Sequence, residues 1–128
     1  MRLLLDTHAL IWWVTDDPAL SRAAWDAIGD SANEILASAA SAWEIATKHR
    51  IGKLPQAGPL AQDFVGSIAA EGFIGLPIGV REAEAAGRLS GPHRDPFDRM
   101  LIAQALAQSL TLISNERVFD RYGVARLW

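Results

Sequence analysis

The sequence contains no cysteine, so it offers neither a disulfide framework nor a thiolate metal site. This is compatible with the reducing, cytoplasmic setting that we expect for the protein. No apolar run approaches the roughly 18 residues of a membrane-spanning helix. Asp6 also interrupts the first apolar residues too early for a secretory signal peptide.

Basic residues are not in excess. Twelve Lys and Arg stand against fifteen Asp and Glu, a formal net charge of −3, which argues against a generic nucleic-acid binder with a basic surface. Two bound divalent cations would bring that charge from −3 to about +1, so an acidic metal site would change the argument. With 128 residues, half of them apolar, the chain is predicted to form a single domain spanning residues 1–128.

Several other catalytic patterns are missing. The sequence has no G-x-S-x-G nucleophile motif and no glycine-rich phosphate loop. His8, His49 and His93 lack the spacing of a zinc site, and we interpret them as solvated or core histidines. We interpret most of the five tryptophans as core or interface side chains rather than base-stacking platforms. They are Trp12, Trp13, Trp25, Trp43 and Trp128.

Short apolar runs alternate with helical patterns along the chain. Strands are predicted at 2–5, 34–37, 73–76 and 110–113, with an edge strand at 124–127. Helices are predicted at 9–14, 21–30, 39–51, 60–71, 81–89 and 96–109. This alternation favours an α/β domain with a largely parallel sheet.

Two acids follow predicted strands. In open parallel sheets, ligands bind outside the carboxyl ends of the strands. Asp6 follows the first strand directly and Glu116 comes three residues after the fourth, so both are expected at one edge of the sheet. Each acid taken alone could equally be the cap of the next helix.

Asp98 is predicted to face the sheet, because it shares a helical stripe with Leu101 and Ile102. A carboxylate there is costly unless it is paired, hydrogen-bonded or bound to a metal. The alternative is capping: Asp95 suits the N-cap, Pro96 the first helical position, and Asp98 the acid of a capping box.

Glu44 lies in an apolar stretch of a predicted helix. The alternative for this residue is an exposed ion pair with Lys48, one helical turn away. If the acids instead gather around a cation, oxygen ligands without nitrogen or sulfur favour Mg²⁺ or Mn²⁺.

Four motifs occur in order along the chain: LLLDTHAL at 3–10, SAWEI at 41–45, DPFDRMLIA at 95–103 and LISNE at 112–116. Together they resemble the PIN-domain family, and within it the VapC-type toxins of toxin–antitoxin pairs. The resemblance covers essentially the whole chain. Each motif is weak alone, whereas four in order at these intervals are specific.

The resemblance implies a PIN-like three-layer α/β/α sandwich with a largely parallel central sheet. It implies an endoribonuclease that uses one or two Mg²⁺ or Mn²⁺ ions, a homodimer, and inhibition by a cognate VapB-like antitoxin. Asp6, Glu44 and Asp98 match the first three acids of the family. The fourth is commonly Asp, and its place is taken here by Glu116, whose longer side chain shifts where the oxygens lie.

On this basis we expect Asp6 and Asp98 to be the primary metal ligands and Glu116 to complete the acidic ring. Asp95 is an extra acid suited to binding the metal through water, and Glu44 would orient or deprotonate the attacking water. Thr7 and Ser114 are expected to be small polar supports at the strand ends. Candidates for holding the RNA backbone, which are equally interpretable as solvated charges, are Arg94, Arg99, Lys48 and Arg50.

Two other functions remain open. One is a non-catalytic PIN-like module that binds RNA or protein, in which Glu116 marks the loss of the metal site. The other is a phosphatase or phosphotransferase of the haloacid-dehalogenase type, which also begins with an acid after its first strand. That family has a second Asp where this chain has His8. The RNA target is not readable, because RNA specificity depends on loop shape and splayed bases.

Overall fold

A computed structural model describes residues 1–128, with a parallel five-stranded sheet at the centre. The strands are β1 (Arg2–Leu5), β2 (Glu34–Ser38), β3 (Ile74–Leu76), β4 (Thr111–Ile113) and β5 (Arg126–Leu127). Their spatial order is β3-β2-β1-β4-β5, and every neighbouring pair is parallel. The predicted α/β class with a parallel sheet is confirmed.

Seven α-helices and two 3₁₀ turns connect the strands. The helices are α1 (Thr7–Val14), α2 (Arg22–Gly29), α3 (Ala39–Arg50), α4 (Gly58–Gln62), α5 (Phe64–Ala70), α6 (Val80–Arg88) and α7 (Pro96–Gln108). The 3₁₀ turns are Pro55–Ala57 and Arg117–Tyr122. None of the helices is long and apolar enough to cross a membrane.

The central strand β1 is covered on both faces. Leu3, Leu4 and Leu5 are all fully buried, as expected for a parallel strand between two layers of helices. Because side chains alternate along a strand, Leu3 and Leu5 join one hydrophobic core with residues of α1, α2, α4 and α5. Leu4 joins a second core with residues of α7. The predicted three-layer α/β/α sandwich is therefore confirmed.

The predicted helix over 60–71 is wrong, because the structure divides it at Asp63. The side chain of Asp63 accepts a 2.9 Å hydrogen bond from the Gly66 N–H and so begins α5. An aspartate at such a position stabilises a new helix start more than continuation of the old one. In the same way, α1 begins at Thr7 rather than residue 9, because Asp6 is its N-cap.

The strand order brings distant parts of the sequence together. Since β1 lies between β2 and β4, their carboxyl ends meet at one edge of the sheet. Residues 6–7 follow β1, residues 114–116 follow β4, and α3 follows β2. This edge therefore holds three of the four acid-bearing motifs.

Candidate active site

Asp6 joins β1 to α1. Its Oδ1 accepts a 2.7 Å hydrogen bond from the Ala9 N–H, so the carboxylate caps α1. The residue is only 5% exposed, and burial raises its pKa from 3.8 to about 6, against the opposing effect of the Ser114 hydroxyl and the Ala9 amide. Capping and a buried charge thus coincide in one residue, as a helix N-terminus favours.

Glu44 is a buried carboxylate on α3, with 4% of its surface exposed. Its Oε1 accepts a 2.6 Å hydrogen bond from the hydroxyl of Thr7, and that hydroxyl also lies 3.0 Å from Ser41 Oγ. Its Oε2 forms an ion pair with Lys48. The Glu44–Lys48 pair expected from the spacing is present, but it is not the exposed pair of the alternative interpretation.

Lys48 places a cation between the acids of two helices. Partial burial lowers its pKa, but the hydrogen bond and charge of Glu44, with the charges of Asp95 and Asp98, outweigh that effect and raise it. The Lys48 Nζ also lies 5.7 Å from the centre of the Phe97 ring. Lys48 is therefore an internal counter-ion here rather than a free contact for RNA.

Asp95 and Asp98 occupy the first turn of α7. The Oδ1 of Asp95 accepts hydrogen bonds from the N–H groups of Phe97 (2.9 Å) and Asp98 (3.1 Å), so Asp95 is the N-cap. Burial raises the pKa of Asp98 from 3.8 to about 6; the hydrogen bond from His93 lowers it, and the charges of Asp95 and Glu116 raise it.

His93 is a site residue that the sequence interpretation missed. Its Nε2 lies 2.7 Å from Asp98 Oδ2, whereas the sequence suggested a solvated or core histidine. Its backbone N–H donates to the Tyr122 hydroxyl at 3.2 Å. The available signal was its place five positions before Asp98, in the loop that leads into α7.

Arg99 stabilises the loop between α6 and α7 that carries His93. Its guanidinium donates to the carbonyl oxygens of Ala86 (3.2 Å), His93 (3.0 Å) and Leu89. This use of the side chain differs from the expected contact with an RNA backbone. Arg94 and Arg50 are exposed and unpaired by any acid.

Glu116 is exposed in the turn after β4, where its N–H donates to Ser114 Oγ at 3.0 Å. Its charge raises the pKa of both Asp6 and Asp98, so it lies within electrostatic reach of both. Arg126 secures this turn: its guanidinium donates to Asp120 at 2.8 and 3.0 Å and to the Ser114 carbonyl at 3.0 Å.

The charge of Glu116 acts on both Asp6 and Asp98, and we call these three acids the acidic cluster; Lys48, which pairs with Glu44, is within reach of the charge of Asp98. Oxygen donors of this kind suit Mg²⁺ or Mn²⁺, and a cation would relieve the unfavourable burial of Asp6 and the partial burial of Asp98. As the side chains lie, no three acidic or histidine residues are close enough to hold a metal ion. The donor chemistry fits a divalent cation, but the coordination shell is not closed.

The fold and the cluster define a class: an α/β/α domain with carboxylates at the carboxyl edge of a parallel sheet. The PIN domain family matches residues 3–125, nearly the whole chain. The chain belongs to the PIN-domain family. No curated protein sequence matches it.

Three solved structures share the fold. VapBC2 from Rickettsia felis, bound to a DNA fragment from its promoter, superposes with a TM-score of 0.70 at 16% identity, covering 99% of this chain and 98% of that one. VapBC-1 from nontypeable Haemophilus influenzae gives 0.66 at 12% identity, covering 99% and 97%. FitAB bound to the IR36 DNA fragment gives 0.62 at 16% identity, covering 98% and 93%.

Proposed function

We propose that this protein is a Mg²⁺- or Mn²⁺-dependent endoribonuclease that acts in the cytoplasm as the toxin of a type II toxin–antitoxin pair. The observation that carries the proposal is the buried Asp6 and the partly buried Asp98, both within reach of the charge on Glu116, in a chain of the PIN family. Buried carboxylates with raised pKa values are typical of functional sites rather than of helix caps alone.

Hydrolysis of a phosphodiester needs a nucleophile at neutral pH and neutralisation of the charge that builds on the phosphate. A bound divalent cation supplies both, by acidifying water and by stabilising the phosphate oxygens. Asp6 and Asp98 would hold the first ion directly. Glu116 would complete the ring, and Asp95 would bind through water.

Glu44 is assigned to the attacking water, which it would orient or deprotonate. Thr7 fixes one of its oxygens and Lys48 the other, so the carboxylate is already held in one orientation. The exposed Arg94 and Arg50 are the remaining candidates for contacting the RNA backbone.

The test is cleavage of a structured RNA in Mg²⁺ or Mn²⁺, with and without EDTA. Wild type is compared with Asp6→Asn and Asp98→Asn, which keep side-chain shape but remove charge. We expect cleavage by wild type alone, abolished by EDTA. Equal cleavage in every reaction would come from a contaminant and would refute the proposal.

The proposed partners are an RNA substrate, a VapB-like antitoxin and a second copy of the chain. Two of the solved neighbours are VapBC assemblies, which supports an antitoxin encoded beside this gene. Co-expression with a short neighbouring reading frame should relieve growth arrest and give a complex in size-exclusion chromatography with light scattering. A protein that stays monomeric without that partner would contradict the homodimer.

A non-catalytic PIN-like binding module is the second candidate. The open coordination shell and Glu116 in place of the usual Asp favour it. Calorimetry separates the two: the nuclease requires Mn²⁺ binding that Asp98→Asn weakens, whereas the binding module gives no Mn²⁺ binding that depends on Asp98.

A further inference from the structure

Trp43 is the most exposed tryptophan. It is 64% exposed, compared with 37% for Trp25, and the other three are partly buried in contact with the core. The contacts of Trp12, Trp13 and Trp128 with the core agree with the expectation for most of the tryptophans, and Trp43 is the exposed member of the set. Trp43 lies on α3 immediately before Glu44, so a large, rigid and exposed aromatic ring neighbours a residue of the proposed site.

Trp43 packs on Phe97, which immediately precedes Asp98 on α7. The ring centres are 5.0 Å apart at an interplanar angle of 74°, an edge-to-face pair. Lys48 lies over the Phe97 ring and is itself within reach of the charges of Asp95 and Asp98. We call Trp43, Phe97 and Lys48 the aromatic platform; it bridges the two helices that carry Glu44 and Asp98.

An edge-to-face contact covers at most one face of each ring, so Trp43 keeps an open indole face. Single-stranded RNA is bound by stacking unpaired bases on such faces, with nearby cations following the backbone. Lys48 lies over the neighbouring Phe97 ring and is paired with Glu44, so what Trp43 itself offers is the stacking face. A base on Trp43 would lie beside α3 and α7, the helices that carry Glu44 and Asp98.

A protein-docking surface has a different composition. Such surfaces are contiguous apolar patches, and an apolar groove of this chain lies between α3, α5 and β3, lined by Ala42, Phe64 and Phe73 among others. Trp43 does not line that groove. Its contacts in the platform are one aromatic ring and, across that ring, an ammonium group.

We propose that the aromatic platform is a nucleobase subsite, in which Trp43 stacks an unpaired base of single-stranded RNA beside the phosphate to be cleaved. The proposal rests on the proposed ribonuclease function. It assigns Trp43 to substrate binding, with tolerance for any base, because stacking uses the π face rather than hydrogen-bond groups.

The experiment compares a short oligoadenylate with an oligomer of abasic spacers that has the same phosphates but no bases. Binding is measured by fluorescence anisotropy in Ca²⁺, with gels to verify that the RNA stays intact. Variants are Trp43→Leu, which stays apolar but cannot stack, and Trp43→Phe, which can. Circular dichroism and thermal melting verify the fold.

We expect Trp43→Leu to weaken oligoadenylate binding about tenfold or more, to leave binding of the abasic oligomer unchanged, and Trp43→Phe to retain most of the affinity. Unchanged oligoadenylate binding in Trp43→Leu would overturn the subsite. So would a changed oligomeric mass with unchanged RNA affinity, which would assign Trp43 to a protein interface. If binding depends on the bases but no metal-dependent cleavage is found, the ribonuclease proposal is refuted while the nucleobase subsite is supported.

Discussion

The hydroxyl of Thr7 donates a 2.6 Å hydrogen bond to Glu44 Oε1, across 37 positions of sequence. It joins the first turn of α1 to the middle of α3. Thr7 follows Asp6 directly. The same short segment therefore carries Asp6 and, through the Thr7 hydroxyl, positions Glu44. Hydrogen bonds to an ionised acceptor are among the stronger ones in proteins.

Replacing Thr7 by Val keeps the shape of the side chain but removes this donor. We expect Thr7→Val to lower the free energy of unfolding by roughly 1.5–3 kcal/mol, the usual range for a hydrogen bond to a charged group. Thr7→Ser keeps the hydroxyl and should remain close to wild type. Urea denaturation measures both, and equal destabilisation by the two variants would contradict a role for the hydroxyl.

Removing Lys48 should expose the cost of burying Glu44. Lys48→Met leaves a carboxylate that is 4% exposed without its cation. Breaking a buried ion pair is strongly destabilising, and because the Lys48 side chain is 31% exposed we expect a loss of about 2 kcal/mol. Adding Glu44→Gln should recover most of it. A double-mutant cycle measures this coupling, and strictly additive losses would show that the pair does not stabilise the fold.

The charge on Asp6 should make stability depend on pH. Its pKa is about 6 in the folded chain and 3.8 ordinarily, so the folded state takes up the proton first as pH falls. The stabilisation from the neutral form is complete below about pH 4 and lost as pH rises towards 6. Without metal, the free energy of unfolding of Asp6→Asn should therefore exceed that of wild type by about 2–3 kcal/mol at pH 7, at about 1.4 kcal/mol per pKa unit. At pH 4 the two should differ little.

Thermal melts at both pH values test this, in EDTA. Adding Mn²⁺ at pH 7 should then stabilise wild type, since a ligand of the folded state raises its melting temperature, and should not stabilise Asp6→Asn. An advantage of Asp6→Asn that has the same size at pH 4 and pH 7 would contradict the buried charge as its origin.

Glu116 should influence the pKa values of both Asp6 and Asp98. Its charge raises the pKa of Asp6 and of Asp98, so Glu116→Gln should lower both, while burial keeps each above 3.8. Carbon-13 NMR of the carboxyl groups follows these titrations. Glu84→Gln, at an exposed position on α6, is the control. A shift at only one aspartate would show that Glu116 does not lie within reach of both.

Replacing Arg99 by Lys should destabilise the fold. An ammonium group lacks the planar fork that reaches three carbonyl oxygens, so Arg99→Lys should cost roughly 2–3 kcal/mol as backbone acceptors lose their donors. Hydrogen exchange should rise in residues 89–95, the loop that carries His93. Arg94→Lys, at an exposed position, is the matched control, and equal exchange in both variants would contradict the anchoring role.

Local signals were sufficient for much of this fold. Strand β1 was predicted because an apolar run ends at Asp6, and α7 because Asp95 and Pro96 form a helix start. Both depend on neighbours within a few residues. The break at Asp63 was not predicted, because the apolar pattern continues through it and only the cap reveals the new helix.

The site depends on contacts that local patterns do not encode. The spacing of Glu44 and Lys48 equally fits an exposed pair; what buries Glu44 is α1, through Thr7. His93 meets Asp98 only because Arg99 and Tyr122 fix the loop between α6 and α7. The acids could be named from their motifs, whereas their partners required the packed structure.

The two outer strands of the sheet are short. β3 has three residues and β5 only two, so each presents few free backbone groups to another molecule. A strand of that length is a poor template for adding a further strand from a second chain. Oligomers and complexes of this protein should therefore form through helix surfaces, and growth of the sheet into fibrils is disfavoured at both ends.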